Sequence, residues 1–433
     1  MTAKIHVERM MHRSSIAVMG ESASSYALVK LIPSGLGDGT AKPMGLNLAL
    51  ALDVSGSMYE EDGTGISRLK RIQDAAINAM KVLKPDDTMA IIGFAHNALV
   101  LLPPTKISDK DKIEDIIRKI DMFDVDPGGT AMNDGMRLAI EEVEKLTKPG
   151  SLSQVLVLTD GETSGEQECR KLAEQAHTKK IHLTLMGVGL DWKSALIKDL
   201  AKLSDGKWYY IDVNDKKDAE RIFVEEFETL AATGFMNVEM HIRPMKDVKI
   251  KRVRQVAPDI KELGMTEPEE RHLLYGLGTL QKDSSTRYIV DLGLPKRPDG
   301  KYKIADLEIT YDLGMGKRET TGAIPLEMTY TAAGQGHVNA EVMKHIDEVQ
   351  IFDLNKKLQD EIVKDNKEEI KKVAQEIEKA GNVMGARAAK KTMLAKQVLQ
   401  ELNAGGRVSK KTQLAIDDSS RQVEETPAAP AAK

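Results

Sequence analysis

Five short apolar runs, NLALALDV, TMAIIGFA, QVLVLTDG, IHLTLMGVG and KWYYIDV, recur between residues 47 and 213, with stretches of helical period between them. Their hydrophobicity is continuous rather than alternating, as expected of strands buried on both faces of a parallel sheet. Between the runs, Leu69, Ile72, Ala76, Met80 and Leu83 step by three or four residues and predict an amphipathic helix. Ile113, Ile116, Ile117 and Ile120 predict a second, with Ser108 placed to cap it, and Met136, Ala139, Ile140 and Val143 a third. A further helix is expected over residues 219–230, carrying Ile222, Phe223, Glu226 and Phe227. Such alternation predicts an α/β domain over residues 44–233, built on a doubly wound, mostly parallel sheet.

The pattern changes at Gly234. NVEMHIRPMKDVKIKRV, STRYIVDLGLP and KYKIADLEITYDL alternate partially and are separated by Gly and Pro turns, predicting a second, antiparallel β-sandwich domain over residues 234–332. SSYALVKLIPSG, ahead of the α/β domain, is also strand-like and would have no sheet of its own. Residues 1–43 are therefore expected to join the sandwich, which makes the α/β domain an insertion. After Tyr330 the chain turns Lys/Glu/Ala-rich. Val342, Ile346 and Val349, then Ile370, Val373 and Ile377, and beyond a GNVMG break Met393, Leu394, Val398 and Leu402, predict two or three helices over residues 333–415. The remainder, 416–433, is poor in apolar residues and rich in Pro and Ala, and is expected to be disordered.

A chain of 433 residues with 41% hydrophobic content can bury a sizeable core in two or three domains. Its 62 basic and 67 acidic residues nearly balance, and no basic block stands out, so nucleic acid is not an expected partner. The single cysteine, Cys169, excludes an intramolecular disulfide framework and fits a reducing compartment. The N-terminal MTAKIHVERMMHRSS lacks the apolar core of a signal peptide, and no apolar stretch approaches the ~20 residues needed to span a bilayer. The expected location is cytoplasmic, with no membrane partner.

The first apolar run ends in Asp53-Val-Ser55-Gly-Ser57, and the third in Asp160-Gly-Glu162. Between them, DPGGTAMNDG places Thr130 in a tight turn ahead of a helix. In open parallel sheets ligands sit outside the carboxyl ends of the strands, so these three loops are expected to meet at one rim. Two carboxylates and three hydroxyls are all hard oxygen donors, a set that suits Mg²⁺. If the aspartates act largely through water, the ion stays electron-poor and favours one more anionic oxygen, such as a Glu or Asp carboxylate of a partner protein. Helix capping by Ser55 or Ser57 is the bland alternative. Asp134 and Glu162 lie near the rim and are read as solvated. The acidic segment Tyr59-Glu60-Glu61-Asp62 is read as a solvated loop. A sharper reading has one of its carboxylates closing the open metal position in cis, so that Gln/Asn replacements would tighten partner binding.

DVSGSM, GGT and LTDG, in this order and on these elements, resemble the metal-ion-dependent adhesion site of von Willebrand factor A domains. The similarity extends over most of residues 44–232 and includes KPDDTMAIIGFA. The resemblance implies that Ser55, Ser57 and Thr130 bind Mg²⁺ or Mn²⁺ directly, with Asp53 and Asp160 acting mainly through bound water. YALVKLIPSG and LLYGLGTLQKDSSTRYIVDLGL look like the sandwich that accompanies A domains in many bacterial and archaeal cytoplasmic proteins, and in plant proteins with a RING finger. One cysteine cannot build a RING. The implied function is a non-enzymatic, metal-dependent protein–protein interaction module with a scaffold or regulatory role. An AAA+ ATPase or a signalling protein is the implied class of partner.

Two other functions are carried alongside it. One is a metal-dependent hydrolase or phosphatase, since metal-bound water is a potential nucleophile. Against it, the 9 histidines mark no base for a serine nucleophile, and His96 and His182 sit at or in strands. Ser55 also stands where a haloacid-dehalogenase-type phosphatase would need a second Asp, and no phosphate-binding GxxxxGK[ST] run occurs. The other is a structural protein that self-associates through its C-terminal helices.

Overall fold

The computed structural model describes residues 4–18, 23–35, 45–61, 65–122, 128–147, 151–163, 165–190, 192–204, 206–282, 284–313, 318–334 and 336–423. Its α/β part is a six-stranded sheet in the order Ala98–Lys106, Thr88–Phe94, Gly45–Asp53, Ser151–Thr159, Ile181–Val188, Lys207–Ile211. All pairs are parallel except the one between Thr88–Phe94 and Ala98–Lys106. Gly45–Asp53 lies inside the sheet, and its side chains alternate between two helical layers. Leu48, Leu50 and Leu52 pack with Ile72, Ile117, Phe223 and Phe227 on one face. Ala49 and Ala51 face Met136, Ala139 and Ile140 of the helix Met132–Glu144 on the other. From this strand the chain passes to Thr88–Phe94 on one side, and after Ala98–Lys106 it crosses back to Ser151–Thr159 on the other. The crevice at such a divergence is where α/β sheets hold ligands.

Two sheets form the second part. One runs Lys4–Met11, Ala23–Ser34, Thr286–Leu294, Lys249–Ala257, Lys261–Glu262, and the other Thr266–Glu269, His272–Gln281, Thr233–Pro244, Gly300–Asp312, Ile324–Thr331, Ser15–Ala17. Their facing side chains, among them Val29, Leu31, Val238, Met240, Val290 and Ile309, make one core. Ala23–Ser34 pairs with Thr286–Leu294 across nine residues, so a strand that precedes the α/β sheet is zipped to one that follows it. The pairing of Ile324–Thr331 with Ser15–Ala17 is parallel, a local departure from the otherwise antiparallel pattern.

Several expectations need correction. Ala98–Lys106 is an edge strand additional to the five expected; its Pro103-Pro104 fall at a register shift in the pairing with Thr88–Phe94, where the ladder is interrupted. The helices Glu166–Thr178 and Ser194–Leu203 are likewise additional to those expected. Ser108 does not cap its helix. It lies within a 3₁₀ turn, Ile107–Asp109, and the α-helix begins at Lys110.

The C-terminal region holds four α-helices among the described residues, Ala340–Val363, Lys367–Met384, Ala389–Asn403 and Lys410–Arg421, rather than two or three. The expected break within GNVMG falls at Gly385, at φ +62°, while Gly381 remains helical. A Cβ at Gly381 would stand 2.0 Å from Thr392 Oγ1, so this glycine serves close helix packing. The expected tail from 416 begins too early: Ile416 is buried within Lys410–Arg421, and the Arg421 guanidinium stacks 3.8 Å from the Trp208 ring centroid. Residues 424–433 lie outside the described residues. Val342, Ile346 and Val349 pack on the outer face of the first sandwich sheet, against Leu28 and Ile289. No described helix is long and apolar enough to cross a membrane.

Candidate metal centre

The strand Gly45–Asp53 delivers its last side chain to a buried position, and the pairing continues one residue further through Val54 N–H donating to Phe94 O at 2.8 Å. Ser55 is extended, and a 3₁₀ turn, Gly56–Tyr59, follows, pinned by the fully buried Met58. Ser55 makes no side-chain cap, so the helix-cap alternative fails for it. The next helix, Arg68–Ala79, is capped by Ser67, whose hydroxyl accepts from Lys70 N–H at 3.2 Å.

A chain of hydrogen bonds joins the two strand ends. Asp53 Oδ1 accepts from Ser55 N–H at 2.9 Å, and Asp53 Oδ2 from the Thr159 hydroxyl at 2.7 Å. The hydroxyls of Ser55 and Ser57 lie 3.2 Å apart, and Ser57 donates to Asp160 Oδ1 at 2.7 Å. Asp160 Oδ2 accepts from the Arg68 guanidinium at 2.8 Å. Asp53 and Asp160 are both fully buried. Burial pushes the Asp53 carboxyl up to about 6 and Asp160's charge adds to the rise, while hydrogen bonds from Ser55 and Thr159 oppose it. Two buried carboxylates this close call for a cation.

Thr130 arrives from the third loop. Ala131 N–H is bonded to Ala95 O, which fixes the loop against the end of the neighbouring strand. A Cβ at Gly161 would fall 2.9 Å from Thr130 Oγ1, so the glycine after Asp160 makes room for that hydroxyl. Gly161→Ala is expected to displace Thr130 and weaken divalent-ion binding about tenfold, the loss of one ligand's orientation. The metal-free thermal midpoint should barely move; titration with Mn²⁺ and a melting curve check both.

The fold thus gathers Asp53, Ser55, Ser57 and Asp160 into one hydrogen-bonded set and lays Thr130 beside Gly161. Five hard oxygen donors, two of them anionic, fit the preferences of Mg²⁺ or Mn²⁺. No cluster of three or more His, Cys, Asp or Glu occurs among the described residues, so this set relies on its hydroxyls. Asp134, half-exposed, pairs with Arg137 at 3.4 Å, and Glu162, exposed, approaches Lys193 at 3.6 Å. His182 lies at the opposite end of the sheet, its pKa lowered to about 4 by burial and by Lys261 and Lys207. Glu60 faces Arg68 at 2.9 Å rather than the serines, and Asp62 lies outside the described residues. Sequence reasoning missed Thr159 and Arg68. The Thr in LTDG was a readable signal for the first; nothing local marks the second.

The family model of the von Willebrand factor type A domain matches residues 48–162. An uncharacterized protein of Synechocystis, sll0103, is 28% identical over 305 residues, covering 69% of this chain and 69% of the relative. The uncharacterized protein YfbK of Escherichia coli is 24% identical over 310 residues, covering 67% of this chain and 52% of YfbK, about half its length. Among solved structures, a von Willebrand factor type A protein from Catenulispora acidiphila matches with a TM-score of 0.75 at 15% identity, covering 97% of both chains. The ArnB paralog VWA2 from Sulfolobus acidocaldarius matches with a TM-score of 0.57 at 14% identity, covering 98% of this chain and 100% of the other. These two likenesses extend over sheet, sandwich and helices, and they are likenesses of fold.

Proposed function

We propose that this chain, which carries a von Willebrand factor type A domain, is a non-enzymatic binding protein that captures an acidic side chain of a protein partner through a divalent ion. Domains of this kind are generally protein-interaction modules and often hold such an ion. The observation that carries the finer reading is the run of hydrogen bonds from Asp53 through Ser55 and Ser57 to Asp160, with Thr130 beside it. When bound, Mg²⁺ or Mn²⁺ would supply a Lewis-acidic position for a carboxylate oxygen. The chain's own residues do the rest. Ser55, Ser57 and Thr130 offer neutral oxygens that leave the ion's charge uncancelled. Thr159 and the Ser55 N–H hold Asp53 in one orientation.

The serine hydroxyls are not arranged as nucleophiles: those of Ser55 and Ser57 bond to each other and to Asp160, and Asp160 is itself held by Arg68. Sandwich and helices act as scaffold or as a second contact surface. A cytoplasmic location is part of the proposal, supported by a lone, fully buried Cys169. An AAA+ ATPase or a signalling protein is the proposed class of partner.

Affinity capture from the source cytosol, with Mg²⁺ or with EDTA, tests this for wild type and Asp53→Ala. A partner retained by wild type in Mg²⁺ and lost in the other three conditions is the expected result. Equal recovery in all four overturns metal-dependent binding. Turnover of a phosphoester and ester panel that EDTA abolishes would favour the hydrolase instead.

A further inference from the structure

Among the described residues, the Arg68 guanidinium touches two carboxylates at once. One nitrogen donates to the fully buried Asp160 at 2.8 Å, and another pairs with Glu60, 62% exposed, at 2.9 Å. The Arg68 side chain is itself only 14% exposed. Its head is boxed in by the end of a third strand: a Cβ at Gly189, which has φ +71°, would stand 3.7 Å from the guanidinium carbon. The backbone supports the same placement, with Arg68 N–H donating to Glu60 O at 3.2 Å.

Helix physics does not explain an arginine here. Arg68 is the first residue of the helix Arg68–Ala79, whose first turn contains no acid and also carries Lys70 and Arg71. Positive charge at a helix N-terminus opposes the helix dipole and is unfavourable there. What compensates is the pair of carboxylates, and the buried one belongs to the candidate metal centre. A charge-assisted bond to a buried carboxylate is among the stronger interactions available to a side chain. Within this site it satisfies the same anionic demand that a divalent ion would.

Resting on the metal-site reading above, we propose that Arg68 is a resident cation that holds Asp160 and competes with the divalent ion for it. Arg68 thereby sets how readily the centre loads. Glu60 is its counterweight. By pairing with the outward nitrogen it draws Arg68 away from Asp160, so Glu60 promotes loading rather than masking the ion.

Mn²⁺ alone, titrated into the full chain by calorimetry and by the electron-spin-resonance signal of the free ion, tests this. Arg68→Met is expected to tighten Mn²⁺ binding about tenfold or more, the worth of a charge-assisted bond removed from the competitor. Arg68→Lys, which keeps the charge but cannot bridge two carboxylates, should fall between Met and wild type. Glu60→Gln should weaken binding about threefold, in keeping with an exposed ion pair. Asp53→Asn in the Arg68→Met background must abolish binding, which locates the ion, and circular dichroism establishes that each variant is folded.

Unchanged or weaker binding by Arg68→Met and Arg68→Lys overturns the competition while leaving the metal centre standing. Tighter binding by Glu60→Gln also overturns it, in favour of a cis-masking carboxylate. Binding by Arg68→Met where wild type shows none supports the proposal most directly. No binding by any folded variant removes both the proposal and the metal reading.

Discussion

Asp53→Ala is expected to abolish the rise in thermal midpoint that saturating Mg²⁺ or Mn²⁺ produces in wild type. A ligand at a hundredfold excess over Kd stabilises the folded state by about 2.7 kcal/mol, worth roughly 5–10 °C in a domain of this size. Without metal, Asp53→Ala leaves the Thr159 hydroxyl and the Ser55 N–H without their acceptor, at a cost of about 1–3 kcal/mol. Asp53→Asn keeps an acceptor and removes a buried charge, so its metal-free midpoint should match or exceed that of wild type while its response to Mg²⁺ is lost. An Mg²⁺ response retained by the Asn variant would remove Asp53 from the metal set.

The pH dependence of this response has a definite sign. Folding raises the Asp53 carboxyl from 3.8 to about 6, so between those values the folded chain binds a proton that the unfolded chain has released. Metal-free stability from this group therefore falls as pH climbs through that window. The ion needs the carboxylate, so its binding strengthens over the same window, by up to about tenfold per pH unit. Calorimetric titrations at pH 5 and pH 7 should show clearly weaker binding at the lower value, and Asp53→Asn should show no such change.

Lys207→Met is expected to cost the most stability of any single change considered, about 3 kcal/mol, since it strips a buried carboxylate of its counter-ion. Glu226 is 1% exposed and accepts from Lys207 at 2.9 Å, Tyr209 at 2.9 Å and Thr184 at 2.7 Å. Gln154 in turn donates to Thr184 at 2.7 Å, which ties the network into the neighbouring strand. Lys207 is 40% exposed, because it lines a cavity of about 330 Å³ between the α/β sheet and the sandwich. Burial pushes the Glu226 carboxyl up, but Lys207 and the hydroxyls of Thr184 and Tyr209 outweigh it, so the group ends below its usual 4.5. A lowered carboxyl contributes stability above its unfolded value and loses it as pH falls through the folded one. The deficit of Lys207→Met in urea unfolding should thus be full at neutral pH and shrink below about pH 4.5. A deficit of the same size at pH 3 and pH 7 would mean packing, not the ion pair, is responsible.

The sheet was legible because its pattern is local. Leu48, Leu50 and Leu52 alternate with Ala49 and Ala51, so one run both predicts a strand and supplies two helical layers with different depths. The loops at its end were legible for the same reason: Asp53, Ser55 and Ser57 follow the run immediately, and Asp160 follows another. Where reading failed, the deciding contact lay far off in the chain. Ala98–Lys106 accommodates Pro103 and Pro104 because it is an edge strand whose ladder shifts register where they fall, and both are properties of the assembled sheet. Lys410–Arg421 is ordered through Arg421, which stacks on Trp208 some two hundred residues away and donates to its carbonyl at 3.0 Å.

By itself, then, the order of residues determined the strand–helix alternation and the rim at which the oxygen-bearing side chains gather, because each follows from periodicity or from neighbours in the chain. Only the tertiary structure decided which charges meet. Arg68 is separated from Asp160 by 92 positions and becomes its partner because parallel strands bring their carboxyl ends to one rim. Charge pairing across a rim depends on distances of a few ångströms, and those exist only after the sheet has closed.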